Sequence, residues 1–223
     1  MSRLLGAAGV ALAALTGTAG AARAQMAPVV HWHIMGGYSE TLGTTADYLQ
    51  GGPMIGFGVT LTPSRGDPLD LRLDLAYSTH NATTNLISAG QQTTNTQIDS
   101  GYGQFWSANG NAVYNIPIMY GVRFYGIAGV GVYHSRVELT QTVPFYSGYY
   151  YCDPFSGFCD GGYGYGSNVV ASNGVTKFGW NAGIGVEFAL PYGRSWFIEA
   201  RYHRISTSTA PIEYVPFTVG YRF

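Results

Sequence analysis

Residues 213–223 read E-Y-V-P-F-T-V-G-Y-R-F, and no feature of the sequence constrains the fold more. Val215, Phe217, Val219, Tyr221 and Phe223 hold the odd positions; Pro216, Thr218, Gly220 and Arg222 hold the even ones. Successive side chains of a strand point to opposite faces. The segment is therefore a strand with one apolar and one polar face. Seven stretches upstream repeat the pattern. In 29–39, Val30, Trp32, Ile34 and Tyr38 share a face opposite His31, His33 and Met35. In 54–62, Ile55, Phe57, Val59 and Leu61 oppose Gly56, Gly58, Thr60 and Thr62. In 69–79, Leu69, Leu71, Leu73, Leu75 and Tyr77 oppose Asp70, Arg72, Asp74, Ala76 and Ser78.

The pattern continues in 104–116, where Trp106, Ala108, Ala112, Tyr114 and Ile116 oppose Ser107, Asn109, Asn111 and Asn115. In 176–190 the apolar face is Phe178, Trp180, Ala182, Ile184, Val186, Phe188 and Leu190, with Lys177, Asn181 and Glu187 opposite. In 196–205, Trp196, Ile198, Ala200 and Tyr202 oppose Glu199, Arg201 and His203. Stretch 122–140 changes phase: Phe124, Ala128, Val130 and Val132 are even, Val137 and Leu139 odd. A bulge or glycine kink within 129–133 would reconcile them.

The connections alternate as well. Residues 40–53, 80–102 and 141–174 are long and rich in Thr, Gly, Asn and Ser, and are expected to be loops. Residues 63–68, 117–121 and 191–195 are short turns carrying Pro and Gly. The loop after the seventh strand is short. Charged residues share one face and aliphatic residues the other, the reverse of what a soluble barrel around an apolar ligand requires. The expected fold is all-β, an eight-stranded antiparallel transmembrane β-barrel, with short turns on the side of both termini and long loops opposite. Trp32 and Trp196 fall near the turn side and Trp106 and Trp180 near the loop side, as membrane-interface aromatics do.

Export fits this fold. Arg3 precedes an apolar run from 4 to 15, and Ala22-Arg23-Ala24 supplies an A-x-A cleavage site. Residues 1–24 read as a signal peptide and 25–223 as one barrel domain. No other stretch approaches the ~18 apolar residues of a transmembrane helix. Only 10% of residues are charged and 15% are aromatic, a balance in which lipid-facing and lumen-facing positions cancel. Eleven basic residues less Arg3 and Arg23 leave nine against twelve acidic ones. Nothing in that balance points to nucleic acid.

The chain resembles the small outer-membrane β-barrel family of Gram-negative bacteria, the OmpA/OmpW-like and 25-kDa surface-antigen group. A-N-G-N-A-V-Y-N (108–115), Y-G-I-A-G-V-G-V (125–132), E-A-R-Y-H-R (199–204) and V-G-Y-R-F (219–223) carry the resemblance. It implies residence in the outer membrane among lipid and lipopolysaccharide, with periplasmic termini. It also implies that Val219, Tyr221 and Phe223 form a C-terminal signal for the barrel-assembly machinery. A monomer with no cofactor is expected.

Four constellations bear on function. Asp70, Asp74, Glu187 and Glu199 face inward with Arg72, Lys177, Arg201 and Arg222. Buried charges must be paired, so the set is either an internal salt-bridge plug or a narrow gated path for polar solutes. Inward glycines at 56, 58, 179, 183, 185 and 220 leave room for the second. His31 and His33 share a face at a spacing that can ligate metal, but no carboxylate or Cys is placed beside them by sequence, so a lumenal polar pair is expected. His203, Ser206 and Glu213 lack the His-x-Ser spacing of outer-membrane lipid A deacylases; His203 and Ser206 fall on opposite faces, and no catalysis is expected. Cys152 and Cys159 are the only cysteines, and an exported chain meets an oxidising compartment. A disulfide is expected there, pinning a tyrosine-rich loop that is either flexible surface or a recognition loop for an extracellular ligand.

Overall fold

Eight antiparallel strands close into a barrel in chain order: β1 Val29–Leu42, β2 Gly52–Thr62, β3 Leu69–Asn81, β4 Ser100–Met119, β5 Val122–Cys152, β6 Cys159–Ala189, β7 Ser195–Ile205 and β8 Ile212–Arg222. β1 completes the ring against β8, from His33 opposite Arg222 to Leu42 opposite Glu213. This computed structural model describes residues 28–63, 67–152, 154–156, 159–208 and 210–223, with 146–152 and 159–163 described by backbone alone. The signal peptide expected at 1–24 lies outside the described residues.

The alternation becomes a wall. Ile34, Ile55, Leu73, Leu75, Ile184, Ile198 and Val219 stand exposed on its outside, while Asp70, Arg72, Asp74, Glu187, Glu199, Arg201 and Arg222 are buried within. A ring of apolar side chains around a polar interior is stable only where the surroundings are apolar, and closure pairs the backbone all the way round. The barrel is a transmembrane one. Trp32, Trp106, Trp180 and Trp196 are all on the outside. β8 ends where Phe223 exchanges backbone hydrogen bonds with Trp32, at 2.8 and 2.9 Å.

The connections depart from expectation in three places. Residues 40–53 are not a loop throughout: β1 runs on to Leu42, and a short helix, α1 Gly43–Tyr48, follows. Gly43 has φ +55°, which lets the chain turn from strand to helix without strain on a Cβ. Residues 80–102 also shorten. β3 extends to Asn81, β4 begins at Ser100, and α2 Thr84–Thr94 lies between. α2 has no side-chain N-cap and ends at Asn95 in the left-handed region. Packing holds it instead: Gly90 lies so close to Leu139 that an added Cβ would sit 2.5 Å from Leu139 Cδ1.

The third departure is the largest. Residues 141–174 continue the ladder, so β5 and β6 rise out of the barrel as a two-stranded ribbon. The wall is thus lopsided, with one hairpin far longer than the others. The phase change in β5 has a different origin from the expected kink. Residues 129–133 pair regularly with both neighbours, and no bulge lies there. The register shifts only at Leu139/Thr140 within the part of β5 that carries the change. Leu139 stays on the inward phase and is buried because Ile98 and α2 cover it above the barrel mouth. An apolar residue on the lumenal phase needs no bulge once a helix caps it.

Candidate functional site

The interior is packed in layers. At the end carrying the short turns, Glu187 of β6 accepts from Arg222 of β8 at 2.9 and 3.1 Å and from Arg123 of β5 at 2.7 Å. Asp70 lies in the same layer and accepts from Asn115 Nδ2 at 2.8 Å. His31, Thr62 and Arg194 complete the lining of a polar hollow of about 220 Å³ open toward that end.

The next layer is an ion quartet. Arg-x-Asp on β3 and Glu-x-Arg on β7 put four charges on the inward phase, and the ring places β3 and β7 four strands apart, facing each other across the lumen. Arg72 Nε donates to Asp74 Oδ1 at 2.8 Å and Arg72 Nη1 to Glu199 Oε2 at 2.9 Å. Arg201 Nη1 donates to Asp74 Oδ2 at 2.9 Å, and Arg201 also holds Glu199 through Nε, at 3.0 Å, and Nη2. His33 Nε2 reaches Asp74 at 2.7 Å, Asn111 donates to Asp74 at 2.8 Å, and the Tyr125 hydroxyl donates to Glu199 at 2.9 Å. The Arg72 guanidinium lies 5.0 Å from the centre of the Phe197 ring. Each carboxylate is thus held by both arginines and by neutral donors, which is what makes burial of four charges tolerable.

Above the quartet lies a cavity of about 10 Å³, room for one water. It lies beside Pro216, opposite which the β7–β8 ladder skips residues because proline offers no N–H. Then comes an apolar and aromatic layer: Leu49, Phe105, Tyr133, Ile205 and Tyr214 are buried together. His203 stacks on Tyr214 at 4.8 Å and bonds the Tyr133 hydroxyl at 2.9 Å. α1 packs at the mouth against β1, β8 and α2, Leu86 of α2 lies against this layer, and Thr41 Oγ1 donates to the Leu49 carbonyl at 2.6 Å.

The inward glycines do not open a path. Side chains from neighbouring strands lie on five of the six, and Gly183 is met by the backbone of Ala200 and Arg201. A Cβ on Gly185 would sit 2.3 Å from the Tyr125 ring, one on Gly220 2.0 Å from the Phe197 ring, and one on Gly179 2.9 Å from the Tyr133 ring. Gly56 and Gly58 are likewise filled, by Met35 and by His33 with Asp74. Glycine on one strand makes the socket for an aromatic ring on the next.

Six of the eight inward charges named from sequence enter ion pairs. Asp70 is buried but bonded to Asn115 alone, with Oδ1 unpaired among the described residues. Lys177 stands near the mouth and makes no ion pair among the described residues. Sequence reasoning missed Arg123, whose strand had no settled phase, and Tyr125, Tyr133 and Phe197, inward aromatics that break a simple polar-in rule. His31 and His33 do not converge: His33 binds Asp74 in the quartet, and His31 faces the hollow below. His203 and Ser206 are also apart in role, since Ser206 is exposed while Glu213 accepts from the Tyr202 hydroxyl at 2.8 Å. The side chains of Cys152 and Cys159 lie outside the described residues; their backbones are direct cross-strand partners.

No protein-family model matches the chain, and no curated protein does. Among solved structures it is similar to Neisserial surface protein A, at 12% identity and TM-score 0.49, over 86% of this chain and 95% of that one. It is similar to a major outer membrane protein from Thermus thermophilus, at 12% identity and TM-score 0.49, over 87% and 100%. The attachment invasion locus protein Ail of Yersinia pestis, in complex with the heparin analogue sucrose octasulfate, matches at 14% identity and TM-score 0.45, over 87% and 99%. These are likenesses of overall shape at low identity.

Proposed function

We propose that the protein is an integral outer-membrane β-barrel of a Gram-negative envelope, a closed structural barrel that presents its long hairpin outside the cell. One observation carries the reading: the quartet and the aromatic layer are packed across the lumen one above the other, with a cavity of about 10 Å³ between them. The export leader and the apolar wall support the location. Short turns at the end shared by both chain ends support a periplasmic placement of that end. Outer-membrane lipid and lipopolysaccharide are then the partners of the wall, and Val219, Tyr221 and Phe223 at the closing strand are the surface offered to the barrel-assembly machinery. The barrel works as a monomer, without cofactor, metal or catalytic step.

A second reading concerns the hairpin. Cross-strand partners have Cα atoms ~4.5–5.5 Å apart, inside the range a disulfide spans. Because Cys152 and Cys159 occupy such a pair, a bridge there would lock the ribbon tip and preorganise it as a recognition element for an extracellular ligand.

Single-channel recording in planar bilayers tests the closed barrel, with heat-modifiable gel mobility proving that the same sample is folded. A folded, silent barrel is expected. Steady ion-selective openings in the unaltered chain, changed by Arg72→Ala, would establish the gated path and overturn the plug.

A further inference from the structure

Within the barrel, β6 pairs with β7 from Ala189 opposite Ser195 up to Gly179 opposite Ile205. One more hydrogen bond follows, Ser206 N to the Phe178 carbonyl at 3.1 Å. β7 ends at Ile205, while β6 continues beyond this point, paired on its other side with β5. Among the described residues no strand covers this second edge. A bulge divides it, since Thr140 pairs with Val169 and Leu139 with Ala171, leaving Val170 as the extra residue. The run next to the barrel, 171–176, has the length of an ordinary strand, about 5–6 residues.

Exposed edges are normally guarded by charge, proline or a covering element. β5 has such guards on its own outer edge: Asp99 Oδ2 accepts from Thr142 N at 2.7 Å, and Pro144 follows. The β6 run has none among its own residues; a neighbouring charge, Arg136 of β5, lies on its face and donates to Ser172 Oγ at 3.2 Å. The run reads A-S-N-G-V-T, without charge or proline, and Val175 is exposed. At its foot stands Lys177, the inward cation that makes no ion pair among the described residues.

We propose that residues 171–176 of β6 are a docking edge for an extended segment of another protein, which adds as a strand in the place β7 would occupy if it were longer. The segment runs antiparallel to β6, as β7 does: β7 rises from Ser195 to Ile205 while β6 descends, so the N-terminal end of the segment lies nearest the membrane and its C-terminal end points away. Main-chain hydrogen bonds supply the attachment. Lys177 selects segments with a carboxylate at that N-terminal end, because its ammonium stands at the foot of the edge without an ion pair among the described residues, whereas the other cation against the run, Arg136, is held by Glu138 and Ser172. Antiparallel self-pairing would require two barrels facing each other from opposed membranes, since two copies in one membrane present parallel strands. The proposal rests on the reading that the ribbon points out of the cell.

The test uses the full mature chain refolded in lipid nanodiscs and a fluorescent peptide, acetyl-Glu-Val-Thr-Val-Thr-Val-Thr-amide. Saturable binding by anisotropy is expected, with slowed amide exchange in 171–176. Lys177→Ala weakens this peptide about tenfold and leaves the version with Gln at the first position unchanged. Val175→Lys, which places a guard charge on the edge, weakens both. No saturable binding to a folded barrel, or equal binding by a peptide N-methylated at alternate residues, overturns the proposal. So does slowed exchange in 171–176 caused by raising the protein concentration alone, which would make a second copy the occupant. Bilayer conductance is read on the same preparation: openings there would sink the closed-barrel reading whatever the peptide does.

Discussion

At the scale of single residues, the quartet decides how the lumen behaves. Removing one member leaves an unbalanced charge in a buried site. Arg201→Ala strips both Asp74 and Glu199 of a partner, and a loss of about 3–5 kcal/mol is expected in urea unfolding followed by tryptophan fluorescence. Replacing all four by apolar residues of similar volume, with the donors His33, Asn111 and Tyr125 made apolar as well, is expected to cost little, because the desolvation of four charges disappears with their attraction and no buried donor is left unpaired. The glycine sockets are the second residue-scale feature. Gly220→Ala is expected to cost about 1–3 kcal/mol, since the new methyl meets the Phe197 ring. Phe197→Leu in the same chain should recover part of it, and a double-mutant cycle by urea unfolding reads the coupling. The period of two identified which charges point inward, because strand geometry alone sets that. It did not identify their partners: Arg72 and Glu199 are 127 positions apart and meet only because the ring sets β3 opposite β7.

At the scale of elements, the strands were legible and the helices were not. α2 reads T-N-L-I-S-A-G-Q-Q-T-T, a poor helix former on propensity, with Thr93 and Thr94 bonding back to the carbonyls four residues earlier. It forms because Ile98, Leu139 and Gly90 bring it against the mouth, and a short helix of this kind depends on tertiary contact. Ile98→Ala is therefore expected to raise amide exchange in 84–94 while leaving the strand ladder protected, as read by hydrogen exchange in nanodiscs. The same variant should stay electrically silent, because the quartet closes the lumen independently. The ribbon was hidden for a related reason. Gly, Ser, Asn and Tyr between 141 and 174 look like a loop by composition, and a two-stranded ribbon requires only backbone pairing, which composition does not report.

At the scale of the whole molecule, polarity is inverted relative to a soluble barrel, and the wall should respond to charge by depth. Leu73→Lys, in the middle of β3, is expected to cost about 2–4 kcal/mol in vesicle-based unfolding, whereas Leu69→Lys, at the turn-end rim, should cost about 0–1 kcal/mol. Equal costs would mean that this face does not meet lipid. The sequence by itself determined the class of fold, the strand count and, on every strand but β5, which residues face lipid or lumen. Each of these follows from a local rule: side chains alternate along a strand, and an apolar wall needs an apolar surrounding. Only the tertiary structure decided how the lumen is packed. That packing depends on which inward rings fall on which glycines, on two arginines meeting two carboxylates across the ring, and on helices held by contacts far away in the chain. Those are consequences of closure and register, and no local pattern contains them.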